Sequence, residues 1–218
     1  KKALHILSLS WPIIIDKSSI SLSYVWLLGM VASFGEQSIA TFDVVKNLER
    51  FAFNPAVASA AIITFLVSNA LGARDNEGAM ANIKKIYLLT FLTVAPVFFL
   101  LCFNASYCIS FFDPLHKFTD FAALILPPIS LLIIFDFTQV FLAAALRGAG
   151  DVKTVMWTRF FACAGFFVPV SWILKHMHFT NKALQFGLIY GSFYLTTGII
   201  GLVFLKRIQS RKWQKQNV

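Results

Sequence analysis

Ile134-Phe-Asp-Phe-Thr-Gln-Val-Phe-Leu-Ala-Ala-Ala-Leu-Arg-Gly-Ala-Gly-Asp-Val-Lys153 places a carboxylate, Asp136, inside a long apolar run and then closes the run with a polar, glycine-rich turn. An ionised group in hydrocarbon costs several kcal/mol unless it is paired, hydrated or protonated, so it marks a functional site by default. The glycines after Arg147 predict a helix stop, and Asp151 stands where the next helix needs an N-cap. Counting back from that stop at 1.5 Å per residue, Asp136 lies roughly 15 Å deep. No base lies within one turn of it, and Gln139, one turn on, is its natural neighbour. Such a carboxylate is suited to carrying a proton, or to binding Na⁺ with nearby carbonyl and amide oxygens.

The surrounding composition sets the medium. Of 218 residues, 58% are hydrophobic and 13% charged, and 24 are Phe. A water-soluble domain carries about 25% charged residues, so the chain reads as a membrane protein whose first partner is the lipid bilayer. The net charge of +9 does not indicate nucleic acid, because the basic residues sit at segment ends and near the C-terminus. Cys102, Cys108 and Cys163 form neither an even set nor a CxxC pair and read as packing residues. His176-Met-His178 lacks a third ligand, so no metal or other cofactor is expected. With no HExxH, P-loop, GxGxxG or ordered nucleophile–base set, enzyme chemistry finds no support.

Six apolar segments, at about 6–34, 38–71, 83–111, 118–146, 152–174 and 184–205, are each long enough to cross a hydrocarbon core of about 30 Å as helices. The first is too long for the apolar region of a cleaved signal. The chain opens on Lys1-Lys2 without an initiator Met, which suggests a piece of a longer protein. The expected fold is therefore an all-α bundle of six transmembrane helices over 1–205, followed by a basic tail over 206–218.

Loop charges give the orientation. Lys1, Lys2, Arg74, Lys84, Lys85, Arg147, Lys153, Lys206, Arg207, Arg211, Lys212 and Lys215 fall at one end, against Lys117, Lys175 and Lys182 at the other. That asymmetry predicts both termini on the cytoplasmic side of an inner membrane. Pro12, Pro55, Pro96, Pro127, Pro128 and Pro169 bend the first five segments, while Gly187, Gly191, Gly198 and Gly201 let the sixth approach a neighbour closely. Ala70-Leu-Gly-Ala-Arg-Asp75 and Ala145-Leu-Arg-Gly-Ala-Gly-Asp151 repeat one order of helix stop, tight turn and aspartate.

Within the spans, the acids Asp16, Asp43, Glu49 and Asp136 match the bases Lys17, Lys46, Arg50 and Arg159 in number, as expected if they pair away from lipid. Asp43, Lys46, Asn47, Arg50 and Asn54 share one helical stripe with Glu49 on its flank. The stripe reads equally as a salt-bridge ladder or as the wall of a water-filled cavity. Pro12, Asp16, Ser19 and Ser23 share a face of the first helix, with Lys17 beside Asp16.

Asp136-Phe-Thr-Gln139 with Ala145-Leu-Arg-Gly-Ala-Gly-Asp151 resembles the tenth helix and following loop of multidrug and toxic compound extrusion (MATE) transporters. Leu9-Ser-Trp-Pro12 resembles the start of a lobe in that family, and Ile39–Phe42 through Phe65–Ala73 its next helix and turn. The resemblance implies one six-helix lobe of a two-lobe transporter, here the C-terminal one. It further implies an antiporter coupled to Na⁺ or H⁺ that exports organic cations or drugs, with the second lobe in the same chain or a partner. In NorM-like members the aspartate matching Asp136 belongs to a cation site, so Asp136, Asp16 and Gln139 are the candidate cation-binding residues. Asp43, Lys46, Glu49, Arg50 and Asn54 are candidates for the substrate cavity. Such members carry a glutamate further along the first helix, where this chain has Ile20. Asp16, or Asp43 and Glu49, would then serve in its place. A lipid-linked oligosaccharide flippase of the same superfamily, or a membrane subunit without a transport cycle, is the alternative.

Overall fold

Backbone groups in hydrocarbon must bond within their own segment, and apolar runs of this length do so as helices. The computed structural model describes the backbone of residues 2–211 and 213, and side chains from Ser10 onward. Lys1, Lys212 and Lys215, and the side chains of Lys2 and Leu9, lie outside the described residues. The helices are α1 (Lys2–Ala32), α2 (Glu36–Gly72), α3 (Asn76–Phe103), α4 (Ala105–Ser110), α5 (Thr119–Gly148), α6 (Val152–Ala162), α7 (Val168–His176) and α8 (Lys182–Gln209). A π segment, Cys163–Phe167, joins α6 to α7 without a break. Six stretches are long and apolar enough to cross a membrane, with α6 through α7 counting as one.

Three boundaries differ from the sequence expectation. The third span begins at Asn76 rather than near 83, because Asp75 accepts a hydrogen bond from Gly78 N at 2.8 Å and starts the helix there. Lys84 and Lys85 therefore sit on the helix itself, exposed. The same span stops at Phe103, and Asn104 separates it from α4. The last helix runs on to Gln209, so residues 206–209 are its final turn rather than the start of a tail.

α5 is the axis. It packs against α8 on one side and α2 on the other, with α3 and α4 also touching it, while α1 pairs mainly with α6. Gly198 is the glycine the α5–α8 approach needs, since a Cβ there would lie 3.2 Å from Phe135 Cγ, whereas one on Gly191 or Gly201 would meet Leu132 Cδ1 at 3.4 Å or Gln139 Cβ at 3.6 Å, near ordinary contact. Gly187 faces open space and takes no part. The α2–α5 crossing is tighter still, since a Cβ on Gly148 would meet Thr64 O at 2.4 Å. There Thr64 Oγ1 donates to Ala144 O at 3.0 Å.

The two echoed turns share one backbone. Ala73, Arg74 and Asp75 donate to the carbonyls of Asn69, Leu71 and Ala70, and Ala149, Gly150 and Asp151 donate to those of Ala145, Arg147 and Leu146. Both contain a left-handed residue, Arg74 (φ 59°) in one and Gly150 (φ 81°) in the other, and both satisfy the terminal carbonyls of their helices in the same way. Their aspartates diverge. Asp75 caps a helix, whereas Asp151, expected to do so, instead accepts from Thr154 Oγ1 and Arg207 Nε, each at 2.6 Å. Arg211 pairs with Glu77 in the first turn of α3, and buried Trp213 donates to Ile208 O at the end of α8.

At the opposite end, Asp113 is buried and accepts hydrogen bonds from Phe118 N (2.8 Å), Thr119 N (2.9 Å) and Thr119 Oγ1 (2.8 Å). Burial works to raise its pKa, but these donors at the head of α5 outweigh it and hold the carboxyl below its ordinary range.

Candidate functional site

α1 and α2 meet at the Ser33–Gly35 turn and then diverge, leaving a cleft of about 690 Å³ between them with α5 as its floor. Its walls carry Lys17 and Tyr24 from α1, Asp43, Lys46, Glu49 and Arg50 from α2, Asp136, Gln139 and Arg147 from α5, Arg159 from α6 and Tyr194 from α8. Asn54 is exposed and lies outside the lining.

The floor is a relay of side chains. Asp136, half-buried, accepts one hydrogen bond, from Gln139 Nε2 to Oδ1 at 2.9 Å. The Gln139 carbonyl faces away and accepts from Arg159 Nε at 3.2 Å and Nη2 at 2.6 Å. Guanidinium only donates, so the amide's orientation is dictated: oxygen toward Arg159, NH₂ toward Asp136. Arg159 uses Nη1 on Asp16 Oδ1 at 2.8 Å, and Arg147 Nη1 takes Asp16 Oδ2 at 3.0 Å. Asp16 is fully buried and shared between two arginines.

This departs from the sequence expectation in two places. Asp16 pairs across the bundle and not with Lys17 beside it. Arg147, counted among the loop charges, turns its side chain inward. Lys17 is exposed and, among the described residues, has no hydrogen bond or ion pair.

On the α2 wall the stripe forms one pair and not a ladder. Lys46 Nζ donates to Glu49 Oε2 at 2.7 Å. Glu49, buried, also accepts from Tyr190 at 2.9 Å and Tyr194 at 2.6 Å on α8. Lys46 donates further to Tyr194 Oη at 2.9 Å and stands 4.6 Å from the centroid of the Tyr24 ring, a cation–π contact. Among the described residues, Asp43 and Arg50 have no ion-pair partner, and both are exposed to the cleft. Tyr190 and Tyr194, with Tyr24 on α1, are site residues that sequence reading misses. On α8 their signal is two phenols about one turn apart, beside Ser192, Thr196 and Thr197.

No group of three or more His, Cys, Asp or Glu able to hold a metal occurs among the described residues. The cleft offers instead a weakly held carboxylate, a chain of donors linking three helices, and free cations.

The comparisons with known proteins agree with this architecture. A crystal structure of MATE in the bent conformation superposes with a TM-score of 0.82 over 94% of this chain at 16% identity, using 45% of its own length. An inward-facing conformation of a multidrug resistance MATE family transporter of the MOP superfamily does so at 0.79 over 95%, again at 16% identity and using 48% of its length. At that identity the likeness is one of fold, and the chain spans about half the length of the structures it matches. No curated protein matches the sequence. The MatE family model, however, matches residues 12–173. With six membrane-crossing helices and the fold of half a MATE transporter, the chain belongs to the MatE family of multi-pass membrane transporters.

Proposed function

We propose that this chain is one lobe of an ion-coupled antiporter in which H⁺ or Na⁺ at Asp136 shifts a bundle of bent helices between outward- and inward-open states, with the second lobe supplied in the same chain or by a partner. The observation that carries it is the relay. Asp136 faces the cleft with a single neutral donor on it, and that donor is locked to Arg159 and Asp16 on two other helices. Gln139 Nε2 occupies Oδ1, so an arriving proton takes Oδ2, the oxygen left free. Neutralising Asp136 weakens its hold on the Gln139 amide, and the change is felt at Arg159 and Asp16. The Lys and Arg distribution supports cytoplasmic termini in an inner membrane.

Reconstituted with its second lobe, the transporter should lose ion-driven transport on Asp136→Asn while folded yield stays normal. Imposing a pH gradient or a Na⁺ gradient separately identifies the ion. Undiminished ion-driven transport in the variant would sink the reading. Family resemblance points to organic cations or drugs as cargo, and Asp43 and Asp136 are the acids that would face them.

A further inference from the structure

A second hollow, of about 210 Å³, lies between α3 and α5 and shares no lining residue with the cleft. Its ends are pinned. Tyr87 Oη and Thr138 Oγ1 share a hydrogen bond of 2.9 Å at one end, and Cys102 Sγ donates to Pro127 O at 3.8 Å at the other. Every lining residue falls between those two ties, at 91–99 on α3 and 130–137 on α5. The helices are thus held together at both ends and stand apart between them, where Ala95 presents only a methyl group. Phe91, Phe98, Phe99 and Phe137 supply four rings to the walls, and Phe99, 57% exposed, marks the opening toward lipid. Ser130 is the one polar side chain in the lining.

Ser130 is 3% exposed, and its Oγ has no hydrogen-bond partner among the described residues. A hydroxyl inside a helix ordinarily escapes by donating to the carbonyl four residues back, and Ser19, Ser23, Thr64, Thr90 and Thr196 do so here. Ser130 does not. It stands about 16 Å along α5 from Thr119, where hydrocarbon rather than water surrounds the bundle. A hydroxyl left unbonded there is costly, so a molecule entering from the membrane with a hydrogen-bonding group of its own is favoured. The space sets its size. A dry cavity of about 150 Å³ lined by Leu, Ile and Phe takes up benzene, whereas a drug-sized solute needs roughly 300–1,000 Å³. We propose that the hollow between α3 and α5 binds a neutral aromatic alcohol or phenol of one or two rings, its hydroxyl on Ser130 Oγ and its rings among the four phenylalanines. Edge and face contacts between rings favour an aromatic body. A lipid acyl chain would fill the space but leave Ser130 unbonded, and a charged ligand meets no counter-ion in the lining. No residue of the relay takes part, so the site is independent of the antiporter reading.

The test uses the intact transporter in phosphatidylcholine nanodiscs and two fluorescent probes of one shape, 2-naphthol and naphthalene, each read as saturable binding above that of empty nanodiscs. Both should bind. Ser130→Ala should lower the ratio of naphthol to naphthalene affinity about three- to tenfold, the effect of losing one neutral hydrogen bond. The same variant should keep naphthalene binding and raise the melting point of the unliganded protein, because an orphan hydroxyl has gone. Ala95→Phe should fill the hollow and abolish the binding of both probes, and Ala95→Leu serves if that variant folds poorly.

No saturable binding of either probe, an affinity ratio unmoved by Ser130→Ala, or binding that survives both Ala95 variants overturns the proposal. Saturable binding in lipid-free detergent that vanishes in nanodiscs assigns the hollow to acyl chains and overturns it as well. Asp136→Asn should leave both binding constants unchanged. If it abolishes them, the probes occupy the cleft and the proposal fails, whatever becomes of ion coupling.

Discussion

Two polar networks face one another across the cleft, and they are built on opposite terms. On the α2 wall, Glu49 meets one cation and two phenols, so charge and hydrogen bonds close on themselves. On the floor, Asp16 is divided between Arg147 and Arg159, and the chain of bonds runs on through Gln139 to end at Asp136. The first is a strut between α2 and α8. The second is open at both ends, with a cation in surplus at one and a lightly held carboxylate at the other. A closed network resists change, whereas an open one can accept an ion. The position of each in the bundle fits this: the strut joins two helices, and the relay ties α1, α5 and α6.

The contrast is most exposed to Arg159→Ala. Removing one member of a buried charged set leaves the others uncompensated, at a cost of about 3–5 kcal/mol. Thermal unfolding in detergent should fall steeply, and a melting point within a degree of the parent would mean that the relay is not held by this arginine. Glu49→Gln comes next, at about 1–3 kcal/mol for weakened charge-assisted bonds around Lys46 and the tyrosines. If Glu49 is a strut, this variant should lose stability but keep its ion dependence. Lost ion dependence with normal stability would reverse the roles of the two networks.

A third carboxylate, Asp113, sharpens the comparison because its Oδ2 takes three hydrogen bonds yet it lies outside the cleft. Its folded pKa is depressed below an unfolded value of about 3.9. Its stabilisation is therefore complete above the unfolded pKa and lost as pH falls through the folded one. Melting curves between pH 7 and pH 3 should show Asp113→Asn less stable than the parent at neutral pH, with the gap closing in acid. A gap that persists unchanged into acid would remove the assigned cause. The smallest effect belongs to Arg50→Ala. A ladder on α2 would make this arginine structural, but with no ion-pair partner among the described residues its loss should change stability by no more than about 0.5 kcal/mol. A large drop in folded yield would restore the ladder.

How much of this was legible in the sequence follows from what each feature depends on. The six spans were legible because lipid forces long apolar runs into helices, and the Asp136–Gln139 contact because three residues make nearly one turn. The repeated turn was legible too, since a left-handed position and a following aspartate leave local marks at Arg74-Asp75 and Gly150-Asp151. The convergence of Arg147 and Arg159 on Asp16 was not. Those residues are separated by 131 and 143 positions, and helical periodicity says which face a residue takes without saying which helix it meets. Arg147 misled in a specific way: its backbone belongs to the end of α5, where a loop charge is expected, while its long side chain returns to the interior. Glu49 likewise had a ready partner at Lys46, which hid the two tyrosines on α8.

The π segment Cys163–Phe167 bears on all of this through phase. Arg159 reaches Asp16 on α1, and further along the same span Ser171 accepts a hydrogen bond from Trp26 Nε1, also on α1, at 2.9 Å. Twelve positions separate the two, which in unbroken α winding would set them about 120° apart. Wider π winding absorbs roughly one residue, or about 100° of that rotation, and brings both side chains round to the same neighbour. Pro169, which has no N–H to give to the preceding turn, stands just beyond it. The segment therefore acts as a one-residue spacer that lets a single helix address α1 at two depths. Its length, more than the identity of its apolar residues, sets where Arg159 points.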